Sequence, residues 1–70
     1  MAFKFKWKRI TDSEAERLTR VCNLSPLEQK ILEMRRKEIL LDFIGYEIGY
    51  SKSRVIHYSN VLLEKILKEL

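Results

Sequence analysis

Cys22 and His57 are the one thiol and the one imidazole in this chain of 70 residues. A single cysteine forms no internal disulfide. Together with a single histidine it falls short of the four ligands of a structural zinc site, so no metal is expected. Cys22 therefore reads as a small buried apolar residue. Ser51 and His57 stand six apart on one expected helix, where their side chains diverge rather than meet as nucleophile and base. Carboxylates are scattered and mostly sit at helical spacing from a Lys or Arg. The two glycines, Gly45 and Gly49, lack the preceding strand and the Lys-Ser/Thr pair of a phosphate-cradling loop. No catalytic constellation and no cofactor site follows, and an enzyme is not expected from so short a chain.

Charge is the chemistry that remains. Net charge is +4, and residues 1–10 alone carry +4 through Lys4, Lys6, Lys8 and Arg9. Residues 51–70 add +2, while 11–24 and 25–50 each sum to −1. Basic ends around a slightly acidic middle suit a polyanionic partner, although solvated lysines produce the same pattern.

The elements that would position these groups are helical. Hydrophobic residues make up 46% and charged residues 34%, a globular composition rich in helix formers. No apolar run reaches the roughly 20 residues needed to span a bilayer. A secretory signal is not expected, and the cytoplasm is the default compartment. One domain is expected, with a basic-aromatic arm over 1–10 and a helical body over 11–70. In the arm, "FKFKWKRI" alternates aromatics with lysines at the period of a strand. With no second strand to pair with, it lays its aromatics on the core, contacts nucleic acid, or lies on a membrane surface.

Helix 1 is expected over Thr11–Cys22. Thr11 and Glu14 form a capping box, Ala15, Leu18, Val21 and Cys22 share the apolar face, and Asn23 ends the helix. Helix 2 starts at Ser25, with Pro26 at the first helical position and Glu28 closing a second box. Leu27, Ile31 and Met34 form its stripe, widened by Leu24 or Leu32; Gln29, Lys30, Glu33 and Arg36 face water. Helix 3, "EILLDFIGYEIG", is apolar almost all round, so it is expected to be buried centrally or to cover a partner. Its start is poorly marked. Ser51 caps helix 4, which runs from Lys52 to Leu70 with Val55, Tyr58, Leu62 and Ile66 at helical spacing.

The glycines fall where helix 3 meets helix 4. Gly49 suits a left-handed residue at a sharp turn, and Gly45, one helical turn earlier, offers no side chain, so another helix can approach. Ile44, Gly45, Ile48, Gly49, Tyr50, Ser51, Val55 and Tyr58 follow the spacing of a helix-turn-helix, expected at about 39–60. With "LSPLEQKILEMRR" before it, "IGYEIGYSKSRVIHYSNVLLEKI" resembles the region 4 DNA-binding part of sigma factors. It is also similar to LuxR-type domains and, most closely, to small phage transcription activators of that lineage. The resemblance covers residues 24–67. Where that family has alanine, a Ser/Thr cap and a Glu, this chain has Gly45, Leu40 and Phe43.

The resemblance implies an all-α, four-helix domain and a sequence-specific bacterial or phage regulator of transcription. Recognition helix 51–60 would enter the major groove of double-stranded DNA. Its reading residues would be Ser51, Lys52, Ser53, Ile56, His57 and Asn60, with Arg54 on backbone or guanine. Apart from the resemblance, their charge alone makes Arg35, Arg36 and Lys37 a phosphate grip or a solvated loop. It makes the arm, with Lys4, Lys6, Lys8 and Arg9, a phosphate or minor-groove contact or the patch that covers helix 3. Val55 and Tyr58 are assigned to the core, and packing is the reading of Tyr46 and Tyr50. A homodimer through helix 3 or through the C-terminal stripe of Val61, Leu62, Leu63, Ile66, Leu67 and Leu70 is a further expectation. The competing reading is a protein-binding module acting on RNA polymerase or a sigma factor, which the apolar helix 3 favours. A DNA packaging or replication accessory protein is the third.

Overall fold

Thr11 and Ser25 start two helices in the same way. The Thr11 hydroxyl accepts from the Glu14 N–H at 3.1 Å, and the Glu14 carboxylate accepts from the Thr11 N–H at 3.2 Å. Ser25 and Glu28 repeat the exchange at 3.2 and 3.0 Å. Each box satisfies two donors that the first helical turn leaves over. The computed structural model describes residues 5–69, and α1 and α2 span Asp12–Val21 and Pro26–Arg36, with α3 over Leu41–Ile48 and α4 over Lys52–Glu69. A 3-10 turn, Trp7–Arg9, precedes them, and the described residues include no strand. This is a small all-α, four-helix domain. Phe3, Lys4 and Leu70, which the sequence reading used, lie outside the described residues.

The first three helices stop on a left-handed residue. Asn23 has φ 52°, Glu38 φ 58° and Gly49 φ 78°. After α1, the Leu24 N–H donates to Thr19 O and the Asn23 N–H to Arg20 O; after α2, Ile39 donates to Met34 O and Glu38 to Arg35 O. Both are Schellman endings, which satisfy the last carbonyls and reverse the chain. Asn23 and Gly49 suit that conformation, whereas Glu38 carries a Cβ into it at about 1 kcal/mol or more. Nothing in the sequence marks Glu38, and the left-handed turn there delays α3, which begins at Leu41 rather than near residue 39.

Leu18, Leu24, Ile31, Leu32, Ile44, Val55, Leu62 and Ile66 form the core, closed at one end by Trp7 and Ile10. The molecule is 18 Å across its shortest axis, room for two layers of helices about 10 Å thick. Helix α4 packs against α1, α2 and α3, and the 3-10 turn packs on α2. The α4 face built from Val55, Ser59, Leu62 and Ile66 is the buried one. Ser59 was not anticipated there; it is only 5% exposed.

Several expected placements are corrected. Val21, assigned to the core face of helix 1, is 48% exposed, because that helix turns its Leu18 side inward. Arg36, expected to face water, is drawn onto the body. Its Nε donates to Ile10 O at 3.0 Å, one terminal nitrogen pairs with Asp12 at 2.6 Å, and the other pairs with Glu33. The arm's strand-like alternation ends at Trp7, where the 3-10 turn tucks the indole inward and Phe5 meets it edge-on at 5.1 Å. Helix 3 is not buried centrally: Ile44 is enclosed, but Leu40, Phe43 and Tyr46 are 67%, 61% and 85% exposed. Tyr46 therefore does not pack, whereas Tyr50 lies beside Tyr58 with ring centroids 5.6 Å apart.

Candidate nucleic-acid interface

Three residues, Gly49, Tyr50 and Ser51, connect α3 to α4. Their geometry depends on one carbonyl. Gly45 O accepts from the Gly49 N–H at 2.8 Å and from the Tyr50 N–H at 2.9 Å. Two donors on one acceptor pull the turn tightly over the last turn of α3. A Cβ on Gly45 would lie 2.5 Å from Tyr50 O and 3.4 Å from Val55 Cγ2. The closest approach that Gly45 permits is the chain's own turn, and the neighbouring helix α4 also comes against it through Val55. Gly49 meets nothing within 4 Å of a built Cβ, and its requirement is conformational alone.

Ser51 then starts α4, its hydroxyl accepting from the Arg54 N–H at 3.3 Å. With Val55, Ser59, Leu62 and Ile66 turned inward, the opposite face of the first half of α4 is fixed by helical geometry. It carries Ser53, Ile56, His57 and Asn60, at spacings of three, four and seven, and all four are exposed. An apolar Ile56, 39% exposed, sits among hydrogen-bonding groups. That set offers two hydroxyl or amide partners, an imidazole and one methyl-bearing contact, the functional groups used on base edges.

Two cations flank this face. The Lys52 ammonium lies 3.9 Å from Asp42, both well exposed, a pair that solvent and salt weaken. The Arg54 guanidinium lies 5.8 Å from the centre of the Tyr50 ring. Neither is locked, so both are available to an anion. Asp42 and Glu47 are the charged residues of α3, so the surface around the turn is basic at the start of α4 and acidic at α3.

The remaining predicted phosphate ligands divide. Lys6, Lys8, Arg9 and Lys37 are exposed. Arg36 is committed to Ile10, Asp12 and Glu33, and the Asp12 hydrogen bond, aided by Glu33, holds its pKa above the ordinary range despite some burial. Arg35 is half-buried with its guanidinium 5.1 Å from the centre of the Trp7 ring. Burial pushes its pKa down. Lys4 lies outside the described residues.

Two further groups support α4 from behind. The Lys65 ammonium reaches the Glu28 carboxylate at 2.7 Å. Burial pushes that carboxyl up, but the hydrogen bonds from Lys65 and Ser25 outweigh it, and the net pKa falls below the ordinary value. The Cys22 thiol faces Lys65 O at 3.5 Å, and burial raises its pKa, as befits a packed rather than reactive cysteine. Among the described residues no group of three or more side chains could hold a metal ion, and no helix is long and apolar enough to cross a membrane.

No family model matches the chain, and neither a curated protein nor a solved structure matches it.

Proposed function

We propose that this chain is a small DNA-binding regulator of transcription that uses α3, the Gly49–Ser51 turn and α4 as a helix-turn-helix. The observation that carries the reading is the division of α4 into two faces. Val55, Ser59, Leu62 and Ile66 are buried, and Ser53, Ile56, His57 and Asn60 stand outward beside two loosely held cations. A helix presented in this way fits a major groove about 12 Å wide. Asn60 is the candidate for adenine, Ile56 for a thymine methyl, and Lys52 and Arg54 for phosphate or guanine.

Binding of the intact protein to a random-sequence duplex, followed across salt concentration, tests this. Lys52→Ala/Arg54→Ala should weaken binding and reduce the log–log salt slope by about 1.8, the release expected from two phosphates. No binding by the wild type at low salt would overturn the reading.

A second reading has its own observation. Leu40, Phe43 and Tyr46 leave an apolar surface on α3 with Asp42 and Glu47 around it. Such a surface suits a protein partner, and RNA polymerase or a sigma factor is the partner class that the reading carries. Its affinity would change little with salt.

A further inference from the structure

The arm and the start of the α3–α4 unit enclose a groove. Its lining includes the cations Lys6, Lys8, Arg35 and Lys52 and the carboxylates Glu38 and Asp42. Lys52 is also the first residue of α4, so the groove abuts the end of the helix that meets the bases under the reading above. Lys8 continues from it into a second groove, which Lys37 lines together with Arg36 and its partners Asp12 and Glu33.

Surface lysines alone would be an ordinary solvated patch. Here the segment that carries them is held. The Arg9 N–H donates to Lys6 O and the Ile10 N–H to Trp7 O, each at 3.1 Å, closing the 3-10 turn. Trp7 is buried in the core, with Phe5 against its edge and Arg35 over its ring. The Arg36 Nε–H fastens Ile10 O from α2. The backbone that carries Lys6 and Lys8 is consequently held while their side chains stay exposed, so only side-chain freedom is left to lose when an anion arrives.

Arg35 adds a second indication. Its Nε is buried without a hydrogen-bond partner among the described residues, and Glu38, which shares the groove, does not pair with it. That Nε is closed off from the groove, so Arg35 supplies uncompensated positive charge behind the lysines rather than a contact of its own.

We propose that this groove is a second DNA-backbone site, where Lys6 and Lys8, with Arg35 behind them, hold phosphates flanking the bases met by α4. The proposal rests on the helix-turn-helix reading and extends it. The contact contributes affinity and orientation but no sequence information, as backbone contacts do.

The test is the salt slope of binding to a random-sequence DNA duplex for three proteins: wild type, Lys6→Ala/Lys8→Ala, and the charge-matched control Lys30→Ala/Lys68→Ala. All four lysines are exposed, so the fold is retained and each pair removes the same charge. The arm pair should lower the slope by about 1.8, so that between 50 and 200 mM salt the wild type loses about twelve-fold more affinity than the variant. The control pair should leave the slope near that of the wild type. Equal slopes for arm variant and wild type, with wild-type binding intact, overturn the arm site and leave the α4 reading standing. Equal reductions for both pairs overturn it too, because the effect is then diffuse charge. Absence of salt-sensitive wild-type binding removes the α4 reading itself, and the arm site with it.

Discussion

Gly45→Ala should destabilise the domain, although alanine is the better helix former by about 1 kcal/mol at an interior position. The reason is local. A Cβ at residue 45 would sit 2.5 Å from Tyr50 O, whereas comfortable carbon–oxygen contacts begin near 3.3 Å. The obstacle is a backbone carbonyl, so no side-chain rotation relieves it. The turn cannot lift away freely either, because Gly45 O holds the amides of Gly49 and Tyr50 at 2.8 and 2.9 Å. Overpacking of this kind costs about 1–3 kcal/mol. Stretching one of the two turn hydrogen bonds adds about 1 kcal/mol. Set against the propensity gain, the net loss is about 2 kcal/mol, or roughly 10 °C in Tm for a domain of this size. Urea denaturation read by helical circular dichroism would show a lower midpoint with an unchanged slope. Gly49 supplies the contrast, since there the space is open and only φ matters. Gly49→Ala should cost about 1 kcal/mol, and Gly49→Asn distinctly less, because asparagine visits left-handed geometry. Gly45→Asn should be no better than Gly45→Ala. A Gly45→Ala protein as stable as the wild type would refute the steric account of the turn.

Glu38→Gly reverses the Gly49 experiment: it should stabilise the domain by about 0.5–1 kcal/mol, the relief at φ 58° exceeding the extra unfolded-state entropy, and thermal melting checks it. Glu28→Gln keeps an acceptor for the Ser25 N–H but removes the charge opposite Lys65, so at neutral pH it should lower stability by at most about 1 kcal/mol, since Lys65 is 41% exposed. The Glu28 carboxylate is held below its ordinary range, so its contribution is full above that range and fades as pH falls through the depressed value. Denaturation midpoints along an acid titration should therefore converge for wild type and Glu28→Gln; a constant gap would show that the ion pair is not the source.

The parts legible in the sequence were those encoded by neighbours. Thr11 with Glu14, and Ser25 with Pro26 and Glu28, mark helix starts because both partners of each capping box lie within one turn. Asn23 and Gly49 mark helix ends because their own side chains, or the lack of one, favour positive φ. The burial of Val55, Leu62 and Ile66 followed from periodicity. The exposed set on α4, Ser53, Ile56, His57 and Asn60, was therefore legible as well, as the complement of a stripe. What escaped depends on contacts between distant segments. Arg36 reads as a solvated helix residue until Ile10 O and Asp12 arrive from the N-terminal side. Trp7 sits in a period-two pattern and still enters a 3-10 turn, because a helical body offers an indole a place to pack but offers its backbone no strand. Glu38 is left-handed through the demands of the α2 ending and not through its own preference. Ser59 is small enough to be buried against a neighbour, and a polar letter in an amphipathic pattern does not announce that.

Helix α4 also separates two properties that a small domain usually couples. Its 18 residues extend about 27 Å. The second half, through Leu62 and Ile66, belongs to the core and is tied to α2 by Lys65 and Glu28. The outward face of the first half carries no core residue at all: Ser53, Ile56, His57 and Asn60 can be exchanged at little cost in stability, because surface substitutions stay within about 0.5 kcal/mol. The turn that orients this face is, by contrast, tightly constrained, with one carbonyl serving two amides and a glycine that admits no Cβ. Variation in what the face meets is therefore cheap, and variation in how it is aimed is expensive. The aim of the α4 face rests on Gly45 and Gly49, and substitutions there should shift it where substitutions on the face itself do not.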